Sequence, residues 1–216
     1  MEDVVVEISK YGRYCQVVEW CADAMEGAQD YTKEAFIEDA KAVKALCGRK
    51  KFIIDYKGNE EFMNMVLRWS MGVADIIDID YNNPELTMLI REAKRKRTKV
   101  LVSYHVFDKM PTRSEIAEQY IVMEKTGADI LKIACMANEE VDTYSILEAA
   151  SAYSQLSSAK PIVAIAMGQE GQVSRICAGD FGSVMSYACG DIPTAPGQFN
   201  AFQLSKYMDK YYEEEK

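Results

Sequence analysis

The 216-residue sequence predicts an α/β fold: a (β/α)8 TIM-type barrel with a truncated first βα unit, in a single domain over 1–216. Three observations carry this. Strand-like runs alternate with helical patterns, as in parallel sheets joined by crossover helices. Most of the runs are near-continuously apolar, as strands covered on both faces must be. Eight can be counted, the number that closes such a barrel. A doubly wound open sheet is the alternative, but no glycine-rich phosphate turn follows the first strand.

In chain order the strand candidates are 4–8, 14–19, 51–55, 75–80, 99–104, 129–134, 161–166 and 182–187, rich in Val, Ile and Tyr. Helical patterns fill most of the gaps, at about 30–47, 59–72, 83–96, 112–126, 139–157 and 199–213. One helix start is specific: Thr112 after Pro111, with Glu115 three residues on, reads as a capping box, and Gly127 as the stop. One unit is defective. Residues 9–13 are too few for a crossover helix, which needs a dozen or more. Five residues reach roughly 17 Å only when fully extended, about one strand length, with nothing left for turns. The segment is therefore expected to hold no α-helix. The first unit is expected to be either a hairpin-like segment beside strand 14–19 or a strand that leaves the barrel open; an open edge would expose backbone groups and apolar surface, which a second copy could cover, and a homodimer is the expectation.

Hydrophobic residues make up 49% of the chain, enough for a sizeable core. The net charge of −9 argues against nucleic acid as a partner. No apolar stretch of about 18 residues exists to span a membrane. The acidic start, Met1-Glu2-Asp3, lacks the charged and apolar regions of a signal peptide, so a cytoplasmic location is expected. Six cysteines form no C-x-x-C pair, and with one histidine a His/Cys zinc site has little support; reduced, mostly buried thiols and no metal are expected. The basic run Lys94-Arg95-Lys96-Arg97 closes a predicted helix, where cations complement the dipole.

The chemistry gathers at strand ends, where barrel active sites lie. Lys132, in the apolar run Asp129-Ile130-Leu131-Lys132-Ile133-Ala134, is the most telling residue. Burial penalises an ammonium and leaves a neutral amine, a nucleophile toward ketones and aldehydes. His105, the only histidine, ends the preceding run and places an acid–base group on the adjacent strand. Glu19 with nearby Cys21, Asp55 with Lys57, and Asp78 with Asp80 fall at other strand ends. Any one of these charges is as well explained by a structural ion pair; Lys132 and His105 together point to catalysis. Arg175, in the loop after the seventh strand, offers a fork for a carboxylate, or else lies solvated on a helix. The stiff turn Gly190-Asp191-Ile192-Pro193-Thr194-Ala195-Pro196-Gly197-Gln198 is either a lid or a plain connector.

These strings, in this order, resemble the type I 3-dehydroquinate dehydratases, the Schiff-base enzymes of the shikimate pathway. The resemblance runs from Val17 to about Lys206. Its anchors are Val18-Glu19-Trp20-Cys21-Ala22-Asp23, Ala74-Asp75-Ile76-Ile77-Asp78-Ile79-Asp80, Val102-Ser103-Tyr104-His105 with Phe107 and Pro111, Gly127 through Ala134, Met167-Gly168 with Gly171, Ser174 and Arg175, and Ala195-Pro196-Gly197-Gln198. It implies a cofactor-free lyase producing 3-dehydroshikimate and water. Lys132 corresponds to the lysine that forms an imine with the substrate's C3 ketone, and His105 to the proton shuttle. Arg175 corresponds to the carboxylate-binding arginine, Gln198 to the glutamine of the closing loop, and Glu19 to the glutamate of the family's E-W-R string. Thr194 stands where the family usually has serine.

The departures lie toward the N-terminal half. Cys21 replaces an arginine, and Lys57 stands near another, keeping its charge but not its bidentate fork. The family's E-G-G-E stretch becomes Asn59-Glu60-Glu61, where Glu61 is matched to its glutamate. Two other readings remain open from the sequence: an aldolase-like lyase using the same imine chemistry on another small oxo-acid, and a degenerate homologue without catalysis.

Overall fold

A computed structural model describes residues 2–213. Six strands alternate with helices in an α/β fold, and strand neighbours follow chain order. The strands are β1 (Val17–Cys21), β2 (Lys51–Asp55), β3 (Ile76–Asp80), β4 (Lys99–Val106), β5 (Ile130–Met136) and β6 (Ile162–Met167). The helices are α1 (Glu2–Tyr11), α2 (Lys33–Cys47), α3 (Glu60–Ser70), α4 (Leu86–Arg95), α5 (Arg113–Glu124), α6 (Asp142–Ser154), the single turn α7 (Ser174–Cys177) and α8 (Ala201–Glu213). The chain divides into two compact units, Met1–Val102 and Ser103–Lys216, with the boundary inside β4.

In the first unit β1 pairs in parallel with β2, from Val17 opposite Lys51 to Cys21 opposite Asp55, and β2 pairs with β3 through Ile53–Ile76 and Ile54–Ile77. Alternation along β1 sends Trp20 to the face opposite Glu19 and Cys21. On that face Trp20 stacks on Phe36 at 5.6 Å and on Phe52 at 6.4 Å, and Trp69 closes against Phe36 at 6.0 Å. Phe36 belongs to the buried stripe Phe36, Ala40, Val43, Cys47 of α2, whose spacing repeats the helical turn. In the second unit β5 and β6 pair in parallel from Leu131–Ile162 to Met136–Met167. Tyr120 of α5 reaches over them and donates to the Val163 carbonyl at 3.0 Å. The expected capping box is present: Glu115 N–H donates to Thr112 Oγ1 at 3.4 Å and Thr112 N–H to Glu115 Oε2 at 2.8 Å.

Two expected strands are absent among the described residues, so the sheet has six strands and not the eight of a closed barrel. Residues 4–8 lie within α1, and α1 runs on to Tyr11, so the expectation of no α-helix over 9–13 is also overturned. The β-branched run Val4-Val5-Val6 suggested a strand. However, the sheltered positions Val4, Ile8 and Tyr11 fall at helical spacing while Val6 is exposed, and the periodicity outweighs the weak local preference. There is no truncated βα unit here, and the homodimer argument built on that strand falls with it. The next strand starts later than expected, at Val17 rather than Tyr14, because Tyr14 ends a 3-10 turn over Gly12–Tyr14. Among the described residues, 182–187 pair with β6 through a single isolated bridge between Ser183 and Ile162. The Ala164 amide, which a neighbouring strand would need, is taken by Ser183 Oγ at 3.1 Å, a side chain competing with the ladder.

Candidate active site

The sequence-selected residues fall into two groups, one in each unit. In the second unit, Lys132 is the third residue of β5, inside the strand and not at its end, because β5 continues to Met136. It is 5% exposed. Alternation puts it on the same face as Ala134 and Met136, opposite Val163, Ile165 and Met167 of β6. This face is an apolar cluster completed by Met185 and Tyr187. The Lys132 ammonium lies 4.3 Å from the centre of the Tyr187 ring. His105 is the penultimate residue of β4, the neighbour of β5 in the sheet. It is half-buried, and its ring stacks on Phe107 at 5.7 Å with the planes 7° apart.

Arg175 is not the solvated helix residue that one reading allowed. It is 2% exposed, and burial pulls the guanidinium down to about 10, still charged near neutral pH. Nη1 donates to the Tyr187 carbonyl at 3.1 Å and Nη2 to the Pro196 carbonyl at 3.0 Å, while buried Nε has no partner. No acidic side chain among the described residues pairs with it. A buried cation held only by carbonyls can accept an anion, since unpaired burial is costly.

The two loops beside it are packed backbone on backbone. Gly168 N–H donates to the Pro196 carbonyl at 3.2 Å. Gly197 has φ +73°, and a side chain there would collide with the Gly168 carbonyl. Gln198 Oε1 accepts from Thr194 N–H at 2.7 Å, Thr194 Oγ1 at 3.1 Å and Ala195 N–H at 3.0 Å. Thr194 and Gln198 are thus brought together, with Gln198 fixing the turn that carries Thr194.

In the first unit, Glu19 and Cys21 share a face of β1, and Asp55 ends β2 beside Cys21. Their donor atoms lie within 4.8 Å of one another, a set that could hold a cation. The Lys57 ammonium already lies 3.2 Å from Asp55 Oδ2. Burial raises the Cys21 thiol well above its usual range, and Glu19 and Asp55 push the same way, so it is a neutral thiol. Cys21 therefore adds no charge to a cluster rich in carboxylates. Asp78 is buried on β3. Glu61 is not gathered with these residues: it is exposed on the first turn of α3, where a carboxylate complements the helix dipole.

Sequence reasoning missed Tyr187. The available signal was the alternation Ser183, Met185, Tyr187, which already placed an aromatic on one face of the expected strand.

The family model for type I 3-dehydroquinase matches residues 1–215. A 3-dehydroquinate dehydratase of Staphylococcus carnosus is 39% identical over 140 residues, covering 63% of this chain and 58% of the relative. One from Listeria monocytogenes is 30% identical over 208 residues, covering 89% and 81% respectively. The crystal structure of 3-dehydroquinate dehydratase from Geobacillus kaustophilus superposes with a TM-score of 0.85 at 21% identity, over 98% of this chain and 86% of that one. The type I enzyme of Clostridium difficile, in a structure with covalently modified comenic acid, gives 0.85 at 22% identity over 97% and 89%. A match over nearly the whole length, on a fold that places a buried lysine inside β5 and a histidine on β4, decides the question of kinship: the chain belongs to the type I 3-dehydroquinase family.

Proposed function

We propose that the protein is a 3-dehydroquinate dehydratase of the shikimate pathway, converting 3-dehydroquinate to 3-dehydroshikimate and water through an imine on Lys132. The observation that carries the mechanism is Lys132 itself, an amine inside an apolar strand face. The amine adds to the C3 ketone and water leaves, forming the protonated imine. That cation draws electrons and acidifies the C2 proton, which His105 accepts. The electron pair left at C2 forms the new double bond as the C1 hydroxyl departs, taking a proton from His105 to leave as water. Hydrolysis of the imine returns the ketone and the free amine, so one water is lost overall. Arg175 receives the substrate carboxylate, in keeping with its burial without an acidic partner. Thr194 and Gln198 bind substrate from the turn they stabilise together. Glu19 and Lys57 keep substrate-binding roles in this reading, and Glu61 a catalytic one, which its exposure supports least. No metal or cofactor takes part.

Among the described residues no helix is long and apolar enough to cross a membrane; a cytoplasmic site of action completes the reading. It also includes one barrel-type domain and a homodimer, since β1 ends the strand order and an edge strand invites a partner. Light scattering reads the oligomeric state.

The test is turnover of 3-dehydroquinate followed by the ultraviolet absorbance of 3-dehydroshikimate, with borohydride trapping and peptide mapping. Turnover with an adduct on Lys132 is expected. Turnover of another oxo-acid alone, or no turnover with either, would replace this reading with the aldolase-like or the non-catalytic one.

The altered first-unit cluster yields a separate expectation. Cys21→Arg with Lys57→Arg should lower KM for 3-dehydroquinate by about tenfold, the scale of a charge-assisted hydrogen bond, with kcat held. Steady-state kinetics of the double variant check this. Unchanged or raised KM shows a site rebuilt around the new residues.

A further inference from the structure

Tyr187 meets the candidate nucleophile directly. Its ring centre is 4.3 Å from Lys132 Nζ, well inside the roughly 6 Å over which an aromatic face attracts a cation. The ring is held in place from two sides. It packs against the apolar cluster of Ala134, Val163, Ile165 and Met167. Its own carbonyl accepts from Arg175 Nη1 at 3.1 Å, and the adjacent Ser186 Oγ donates to the Arg175 carbonyl at 2.6 Å. A ring fixed by its backbone and by its packing keeps its face toward the amine, with little ordering left to do as charge develops.

The chemistry asks for opposite properties of one nitrogen. Nζ must be uncharged to attack the ketone, and cationic as the imine that draws electrons from C2. The aliphatic and methionine side chains of this strand face favour the first state by excluding water. The negative face of an aromatic ring favours the second.

We propose that Tyr187 is a further catalytic residue, whose ring face stabilises the protonated imine formed at Lys132. The proposal rests on the imine reading of Lys132. The ring, not the phenol hydroxyl, carries the effect.

The experiment traps the protonated imine with cyanoborohydride, which reduces that species selectively, in the presence of 3-dehydroshikimate, and follows the rate of adduct formation on Lys132 by mass spectrometry. Tyr187→Phe is expected to trap at close to the wild-type rate, and Tyr187→Leu about 3- to 30-fold more slowly, the range for a partly to fully desolvated cation–aromatic contact. Progressively fluorinated phenylalanines at 187, which keep the ring's shape while draining its negative face, should slow trapping in step with fluorination. A merely structural ring would not produce that gradient, and the series keeps the proposal falsifiable if the leucine variant fails to fold. Equal trapping across the fluorinated series overturns the proposal, as does a phenylalanine variant as slow as leucine. A wild-type chain that gives no adduct on Lys132 overturns the imine reading and this proposal with it. A normal wild-type adduct with no gradient overturns this proposal alone.

Discussion

Lys132→Met should reduce turnover of 3-dehydroquinate by about 10⁴-fold or more, the scale on which deletions of a covalent nucleophile fall. Borohydride should then leave no adduct anywhere on the chain. Methionine is unbranched and only one atom shorter than the side chain it replaces, and it suits a face already lined by Met136, Met167 and Met185. Circular dichroism and thermal melting check that the variant is folded at the assay temperature. Lost activity in a folded variant separates the chemical role from a structural one. Lys132→Arg should not rescue, because a guanidinium stays protonated and is no nucleophile. Activity within tenfold of wild type in the methionine variant refutes the covalent route.

His105→Ala should lower kcat by about 10²-fold or more, the usual loss when a positioned proton carrier is removed. The Lys132 adduct should still form, more slowly, because the amine remains. The two variants therefore differ in kind: one cannot make the intermediate, and the other makes it and is slow to use it. Phe107, against which the imidazole stacks, gives a graded companion. Phe107→Ala removes the stacking surface but not the base, and should fall between wild type and His105→Ala in kcat. Near-normal turnover of His105→Ala would assign proton transfer elsewhere.

The sequence revealed the interior strands because burial on both faces leaves an unbroken apolar run: β2 and β3 lie within the spans those runs mark out, while β4 and β6 run past theirs by two residues and one. Lys132 was visible for the same reason, as a charge interrupting such a run. The failures have physical causes. Val4 to Ile8 is short enough that β-branched composition and helical spacing compete, and only the exposure of Val6 beside sheltered Val4 and Ile8 decides for the helix. At 182–187 the apolar residues look strand-like, but the hydroxyl of Ser183 occupies the amide that a ladder would use, a contact between positions 19 residues apart that no local pattern encodes. The burial of Arg175 was hidden for a related reason. Its partners are the main-chain carbonyls of Tyr187 and Pro196, and carbonyls have no residue type to read. The nearness of Glu19, Cys21 and Asp55 required the register of β1 on β2, which fixes which residues of two separate runs stand side by side.

The hydrogen bonds of Arg175 carry a consequence for how this protein can change over generations. One guanidinium secures the main chain at Tyr187 and again at Pro196, and the same group is the one proposed above to receive the substrate's negative end. A mutation that traded away the preference for an acidic compound would also loosen two stretches of chain, and a mutation tolerated for architecture alone would have to preserve that preference. Drift at position 175 is thereby closed to single steps. New substrate ranges are easier to reach from the end of β1 and the residues after β2, where Cys21 lies on the face opposite the packing of Trp20 on Phe36 and Lys57 is largely exposed.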